Sequence, residues 1–192
     1  MVTVTRQPVL LTTELPGRTC PFRIAEIRPQ VNGLIQKRLF TEGSEVKAGQ
    51  DLYQIDPAPF QAALDNATAA LGRAEANLPA IHSRVKRYQE ALADKAVSQQ
   101  DFEDASAALK QAEADINYYK ATVQSARINL NYARVVSPIS GRIGTSSVTD
   151  GAIVTAYQPV AMATIQQLDP IYVDVPQSAT ELLRLQKRLE AA

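Results

Sequence analysis

The chain has 192 residues, and its 20 Lys and Arg balance 20 Asp and Glu to a formal net charge of zero. This balance argues against nucleic-acid binding and against attachment to a membrane surface through bulk positive charge. A single cysteine, Cys20, and a single histidine, His82, exclude a disulfide framework and a Cys/His zinc site. No stretch approaches the roughly 18 apolar residues that a membrane span requires.

Residues 25–56 are predicted to form short strands joined by glycine turns. Gly33 and Gly43 lie ten residues apart. The apolar Ile35 follows Gly33, and the apolar Val46 follows Gly43. Glycine is common at tight turns because it adopts positive φ at little cost. So short a strand segment buries little surface alone, and we expect it to pack against a second segment.

Residues 57–133 differ in composition from the rest of the chain. Of 29 alanines, 19 lie between Pro57 and Tyr132, and in this window Gly72 is the one glycine. Apolar residues repeat every seven positions here, in two series: Leu64, Leu71, Leu78, Val85 and Leu92, then Phe102, Leu109, Ile116, Val123 and Leu130. A second heptad position is filled by Ala67, Ala74, Ile81 and Tyr88 and by Ala105, Ala112, Tyr119 and Ala126. This pattern predicts a coiled coil of two helices, over about 59–95 and about 99–132.

The two heptad series mirror each other. The residue numbers of facing positions add to 194, as for Leu64 with Leu130. The mirror predicts an antiparallel hairpin with its turn at 96–98 and helices about 50 Å long. Ser98 is the expected N-cap of the second helix, with Asp101 three residues on. Pro79 is expected to cost the first helix a hydrogen bond.

Residues 134–168 repeat the first strand segment at an offset of 108. The matching positions are Gly33 with Gly141, Ile35 with Ile143, Gly43 with Gly151 and Val46 with Val154. Two such copies facing each other can form one small β-sandwich. The helical hairpin is therefore predicted to be an insertion between two halves of one β-domain.

Five stretches carry a family resemblance. They are RIAEIRPQVNGLI (23–35), LYQIDPAPFQA (52–62), ARINL (126–130), SPISGRIG (137–144) and ATIQQLDPIYVDV (163–175). On these stretches the chain resembles the periplasmic adaptors, or membrane fusion proteins, of tripartite RND multidrug efflux pumps of the AcrA/MexA kind. The resemblance covers essentially the whole chain. It implies an α+β fold, in which a split lipoyl-like β-sandwich carries a long antiparallel coiled-coil hairpin beside fragments of an incomplete β-barrel.

The resemblance also implies the domain organisation. Residues 1–24 are expected to give N-terminal strands of the membrane-proximal and β-barrel domains, and residues 25–56 the first lipoyl-like half. The hairpin follows over 57–133, the second half over 134–168 and a partial barrel with a helical stretch from Ala179 over 169–192. Family members continue for roughly as many residues again, and we identify no signal sequence or lipidated cysteine. We therefore expect a trimmed chain whose open barrel edges are poorly ordered or completed by another chain.

The function that the resemblance implies is structural coupling. Such adaptors work in the periplasm, anchored to the inner membrane by a lipid. They link an inner-membrane RND drug/proton antiporter to a TolC-like outer-membrane channel, and they assemble as a hexamer or a trimer of dimers. The resemblance implies no covalent chemistry, no cofactor, no metal and no nucleic-acid partner.

Candidate binding residues lie near the predicted hairpin turn. In the family an Arg, a Leu four residues on and a Ser eleven residues on contact the channel. The matching positions here are Arg87, Ala91 and Ser98. Ala91 departs from the pattern, and its neighbour Leu92 is a seam residue by the heptad. The plain alternatives are that Arg87 lies on a solvated helix surface and that Ser98 is only the N-cap.

Other functions remain open at this point. An adaptor of a type I secretion or heavy-metal efflux system would share the fold, and a coiled-coil scaffold would share the hairpin. Asp94-Lys95-Ala96 has the sequence of a lipoylated lysine site, but it lies at a predicted helix end and not in a turn between strands. We find no catalytic triad, phosphate loop or nucleophile elbow, so we predict that the protein is not an enzyme.

Overall fold

The computed structural model describes residues 14–190, without the side chains at 185 and 188–190. The part of the expected N-terminal strands that falls on residues 1–13 lies outside the described residues. The described chain forms strands β1 (Arg18–Ile27), β2 (Gly33–Arg38), β3 (Glu45–Val46), β4 (Asp51–Ile55), β5 (Arg134–Val136), β6 (Gly141–Ile143), β7 (Ile153–Val154) and β8 (Ala163–Asp174). Its helices are α1 (Ala58–Ala93), α2 (Gln99–Tyr132) and α3 (Ala179–Glu190).

The strands form two four-stranded antiparallel sheets, in the orders β1-β8-β6-β3 and β5-β4-β2-β7. Each sheet takes two strands from each half of the repeat. Strand β2 of the first half pairs with β7 of the second, and β3 pairs with β6. The two halves are therefore interlocked in one sandwich, and neither sheet belongs to one half alone.

The offset of 108 residues is an internal pseudo-two-fold symmetry of this sandwich. The N–H of Gly43 donates to the carbonyl of Ile143 at 3.0 Å, and the equivalent Gly151 donates to Ile35 at 2.8 Å. The strand pairs obey the same rule, since Gly33 pairs with Val154 where Gly141 pairs with Val46. The predicted repeat is thus confirmed down to individual hydrogen bonds.

Two carboxylates hold the halves together across this pseudo-symmetry. Asp150 accepts the backbone N–H of Arg38 at 2.8 Å, and the equivalent Glu42 accepts that of Ser146 at 3.0 Å. Glu42 also forms an ion pair with the guanidinium of Arg38. The N–H of Ser146 and, less strongly, the charge of Arg38 hold the pKa of Glu42 below its ordinary value.

The core lies between the two sheets. It consists of buried side chains from both halves: Ile27, Val31, Ile35, Phe40, Val46, Leu52, Tyr53, Ile55, Ala133, Val135, Ile143, Val154, Met162, Ala163 and Ile165. The Tyr53 hydroxyl donates to the carbonyl of Met162 at 3.1 Å, and burial raises its pKa. Its ring meets Phe40 edge-on with centroids 5.2 Å apart. The polar atom of the largest core residue is thus satisfied inside the sandwich.

Two repeated glycines allow neighbouring strands of the same sheet to lie close together. A Cβ at Gly141, whose φ is +156°, would collide with the backbone of Gln166. A Cβ at Gly33 would collide with the side chain of Ile55. The glycine repeat is therefore required by close packing, and by backbone conformation at Gly141.

The hairpin confirms the heptad prediction. Every residue of the two predicted seams is buried or half-buried, whereas most residues between them are exposed. Lys120 and Glu75, whose numbers add to 195, form an ion pair at 3.9 Å between the helices. Pro79 lies inside α1, which continues through it. Helix α1 ends at Ala93, two residues before the expected end, and the difference arises at the tip.

A two-stranded ribbon extends beyond the sandwich. The first residues of β1 pair with the last of β8, from Arg18 with Asp174 to Pro21 with Ile171. The expected domain boundaries at 24 and 168 therefore fall inside continuous strands. No helix in the described range 14–190 is both long enough and apolar enough to cross a membrane.

Candidate functional site

The end of α1 forms the first side of the hairpin tip. Asp94 is the C-cap, and Lys95 follows in the left-handed region with φ of +58°. The N–H of Lys95 donates to Leu92 at 3.0 Å, and that of Ala96 donates to Ala91 at 2.8 Å. These two hydrogen bonds are those of a Schellman motif, which satisfies carbonyls at the end of the helix.

The start of α2 forms the other side of the tip. Ser98 is its N-cap, as predicted, and its Oγ accepts the N–H of Asp101 at 3.2 Å. The carboxylate of Asp101 accepts both the Ser98 N–H at 3.2 Å and the Ser98 hydroxyl at 2.6 Å. These hydrogen bonds lower the pKa of Asp101. The reciprocal pair is a capping box with Asp in place of the usual Glu.

The structure brings three of the four predicted site residues close together along the tip. Ala91 and Leu92 are half-buried in the last turn of α1, and Ser98 is exposed across the loop. Leu92 occupies the seam, as the heptad predicts. Arg87 is exposed one turn before Ala91, on the same helix face by its spacing of four. The tip therefore offers a guanidinium, a hydroxyl and a small apolar surface between them.

This arrangement suits binding. The Ser98 hydroxyl donates to the Asp101 carboxylate and accepts the Asp101 N–H, so both of its hydrogen bonds belong to the helix cap. Across the described residues, no three His, Cys, Asp or Glu side chains gather closely enough to hold a metal ion. The fixed caps give the loop a defined shape, which a partner helix pair can recognise.

One feature of the hairpin was missed by sequence reasoning. It is the left-handed conformation of Lys95, because a Schellman motif usually has glycine at that position. The two adjacent tyrosines follow the heptad pattern, since Tyr119 is half-buried in the seam and Tyr118, outside the seam, is 69% exposed.

A family model matches most of the chain. Residues 23–166 match the model described as "RND MFP, barrel-sandwich hybrid domain". This range contains both halves of the sandwich and the whole hairpin.

Curated relatives match over nearly all of the chain. It is 57% identical to the multidrug resistance protein MexA of Pseudomonas aeruginosa over 189 residues, which are 98% of this chain and 46% of MexA. It is 53% identical to the multidrug efflux pump subunit AcrA of Escherichia coli, with 98% of this chain and 48% of AcrA covered. The probable efflux pump periplasmic linker TtgA of Pseudomonas putida is 55% identical, with coverages of 100% and 46%. The chain spans about half the length of the curated relatives it matches.

Solved structures share the fold. A MacA-MexA chimera that contains the P. aeruginosa MexA α-hairpin aligns with a TM-score of 0.56 at 31% identity, covering 87% of this chain and 55% of the chimera. MacA from Actinobacillus actinomycetemcomitans aligns with a TM-score of 0.60 at 24% identity, covering 87% and 56%. The second likeness bears on the fold alone.

Proposed function

Because this chain belongs to the RND membrane fusion protein family, we propose that its full-length protein is the periplasmic adaptor of a tripartite multidrug efflux pump. One observation carries the proposal. A hairpin about 50 Å long projects from a two-half β-sandwich, in a chain that is 53–57% identical to relatives named for multidrug resistance or efflux. The adaptor performs no covalent chemistry, and a transporter supplies the energy.

The proposed partners lie at the two ends of the molecule. The full-length protein would link an inner-membrane RND drug/proton antiporter to a TolC-like outer-membrane channel. Several copies would assemble around the exit duct of the pump as a hexamer or a trimer of dimers. The proposed location is the periplasm, with the full-length protein anchored to the inner membrane by a lipid. In the described part of the chain, what supports this arrangement is the projecting hairpin, whose tip lies far from the sandwich.

The domain organisation is part of the proposal. Residues 25–56 and 134–168 form the two lipoyl-like halves, and 57–133 form the hairpin. Residues 1–24 and 169–192 contribute to the β-barrel and membrane-proximal domains. The ribbon of β1 and β8 supports this division. Among the described residues, no further strand pairs with its outer end, where Tyr172 and Val173 are exposed to solvent.

We propose that the hairpin tip binds the channel through Arg87 and Ser98, with Ala91 and Leu92 between them. The ends of channel helices can pack against the tip as a helix pair packs against another. The exposed Arg87 guanidinium suits a carboxylate or carbonyl on the channel, because it presents five donors in a fixed plane. Ala91 in place of the family's leucine leaves a smaller apolar contact.

The first experiment measures dye accumulation in cells that lack the full-length gene, with and without a proton uncoupler. We expect the deletion strain to accumulate dye as uncoupled wild-type cells do, because export requires the adaptor as well as the proton gradient. Restoration by the full-length gene on a plasmid is the control. Unchanged accumulation in a strain without other pumps would contradict the adaptor function.

The second experiment tests the tip. Arg87→Asp in the full-length protein is expected to reduce drug resistance to the level of the deletion strain, at unchanged protein abundance. Lys86→Asp is the matched control, because Lys86 is the next residue, equally charged and exposed on another face of α1. Full resistance with Arg87→Asp, or equal loss with Lys86→Asp, would remove the tip assignment.

A further inference from the structure

The turn at the tip of the hairpin contains a strained lysine. Helix α1 ends at Ala93 and α2 begins at Gln99, so residues 94–98 form the apex of the hairpin. Within the apex, Lys95 adopts the left-handed conformation with φ of +58°. This conformation brings a Cβ too close to the carbonyl oxygen that follows it, whereas glycine adopts it at little cost. The lysine therefore makes the turn less stable than glycine would.

The turn itself does not use the lysine side chain. The hydrogen bonds that close it come from backbone atoms, since the N–H of Lys95 donates to Leu92 and that of Ala96 donates to Ala91. Glycine at position 95 would donate the same hydrogen bond. The side chain of Lys95 is exposed, so its charge gains little from the C-terminal end of α1 in water.

The carboxylates closest to Lys95 along the chain leave its ammonium free. Asp94, the preceding residue, forms no salt bridge with it within residues 14–190. Asp101, at the start of α2, accepts the N–H and the hydroxyl of Ser98. The apex thus presents a cation that no carboxylate of the described chain neutralises by an ion pair.

Glycine takes this backbone conformation at most other turns of the described chain. Gly43, Gly49 and Gly151 adopt it in turns of the sandwich, with φ of +75°, +82° and +84°. Tyr157 and Lys95 are the other residues in this conformation, and Lys95 is the charged one. Residues held in a disfavoured conformation cluster at binding sites, where contacts with a partner offset the strain. The strain at Lys95 therefore points to a use for its side chain outside the hairpin.

We propose that Lys95 is a further contact of the hairpin tip with the outer-membrane channel, and that its ammonium binds a carboxylate there. This inference rests on the proposed function, which places the tip against the channel. The apex is the far end of a hairpin about 50 Å long, so Lys95 is among the first residues that the channel meets. Its flexible stem carries a compact charge with three donors, which suits a carboxylate whose exact position varies.

A carbodiimide cross-link tests the contact directly. The reagent activates a carboxylate, and a lysine amine in contact with it displaces the urea and forms an amide without a spacer. Cells that produce the full-length protein are treated, and peptides that join Lys95 to an Asp or Glu of the channel are sought by mass spectrometry. We expect this cross-link in the wild type and its loss in Lys95→Arg, because a guanidinium does not react.

One pattern of cross-links would overturn the proposal. It is a set of adaptor–channel cross-links through other lysines, with Lys95 either unmodified or joined to carboxylates of the adaptor itself. Such a set would show that the tip reaches the channel while Lys95 has no carboxylate of the channel beside it.

Drug resistance separates the charge of Lys95 from its strain. Full-length variants are compared in the deletion strain at equal protein abundance. Lys95→Gly relieves the strain but removes the charge, and we expect it to lower the minimum inhibitory concentration about fourfold, as loss of one partly exposed ion pair predicts. Lys95→Gln should have the same effect, whereas Lys95→Arg should remain within about twofold of the wild type. A purely structural role for residue 95 predicts instead that Lys95→Gly is at least as active as the wild type.

Lys86→Gln is the matched control. It removes an equal charge from an exposed position of α1 before the apex, and we expect unchanged resistance. Full resistance with both Lys95→Gly and Lys95→Gln, or an equal loss with Lys86→Gln, would overturn the inference.

The proposed function can be judged separately in the same strain. Loss of resistance with Arg87→Asp but not with Lys95→Gly would contradict the role of Lys95 alone. A deletion strain that keeps full resistance in the absence of other pumps would contradict the adaptor function, and the role of Lys95 with it.

Discussion

The sandwich and the hairpin are stabilised in different ways. In the sandwich, side chains such as Ile35, Leu52 and Ile143 are completely buried. The hairpin has 36 residues in α1 and 34 in α2, but only Ala67, Ala105 and Ile116 are buried in it. Its seam is one layer of half-exposed side chains, many of them alanine. The completely buried side chains are therefore concentrated in the small sandwich, and the long hairpin depends on many weak contacts.

This difference suits the proposed role of coupling two partners. A well-packed sandwich fixes the direction in which the hairpin projects, because its core side chains can pack together in few other ways. A hairpin with a shallow seam can adjust its shape to a partner at a small cost in free energy. The predictions below test this division of roles by making paired changes, one in each region.

The largest difference is expected from truncating an apolar side chain in each region. Ile143→Ala removes a fully buried side chain and is expected to lower the free energy of unfolding by about 3–5 kcal/mol. Leu109→Ala removes a half-buried seam side chain and is expected to cost about 1–2 kcal/mol, because the cavity is open to water. Urea unfolding followed by circular dichroism measures both. Equal losses would mean that the hairpin is as tightly packed as its base.

Glycine-to-alanine changes are expected to have opposite signs in the two regions. Gly141→Ala places a methyl group against the backbone of Gln166 and is expected to destabilise the sandwich by about 1–3 kcal/mol. Gly72→Ala adds a methyl group in open space on α1 and is expected to stabilise the helix by about 0.5–1 kcal/mol. Thermal unfolding of the two variants checks the signs. Destabilisation by Gly72→Ala would reveal a contact on that face of α1.

Acid is expected to weaken each region through one carboxylate. The pKa of Glu42 in the sandwich and that of Asp101 at the tip are both lowered in the folded protein. A lowered pKa contributes stability that is present above the unfolded value and is lost as the pH falls through the folded value. Stability is therefore expected to decrease when the pH drops below the ordinary pKa of each carboxyl group, which is 4.5 for Glu42 and 3.8 for Asp101.

Two amide variants separate these acid effects. Glu42→Gln is expected to flatten the acid dependence of sandwich unfolding, and Asp101→Asn that of amide exchange at the start of α2. Hydrogen exchange between pH 3 and pH 6 reports the two regions separately, from the amides of the sandwich strands and from those of the first turn of α2. An unchanged pH profile in either variant would assign that acid sensitivity to other carboxylates.

Sequence reasoning succeeded where the pattern is local or repeated. The heptads located the seam, and their mirror symmetry located the turn. The offset of 108 residues identified Gly43 and Gly151 as equivalent positions, and the two make equivalent hydrogen bonds. The interlocking of the two halves could not be derived, because a repeat shows that two segments are alike and does not show which strand pairs with which.

The end of α1 shows why helix ends are hard to locate from a pattern. The heptad and the run of alanines favour a helix to residue 95, but Lys95 adopts positive φ and the helix stops at Ala93. The hydrogen bonds of the Schellman motif offset the strain of a side chain in this conformation. The cost is of the order of 1 kcal/mol, too small for a sequence pattern to reveal.

The smallest expected effect tests this strain at the tip. Lys95→Gly removes the left-handed penalty and is expected to stabilise the tip by about 1 kcal/mol. Lys95→Ala is the control, because it removes the same charge and keeps the penalty. Since the N–H of Ala96 closes the motif on Ala91, its exchange in Lys95→Gly should slow about fivefold relative to Lys95→Ala. Equal exchange in the two variants would mean that residue 95 keeps its left-handed conformation in the opening that releases the Ala96 N–H, so that the penalty at this position does not set the stability of the tip.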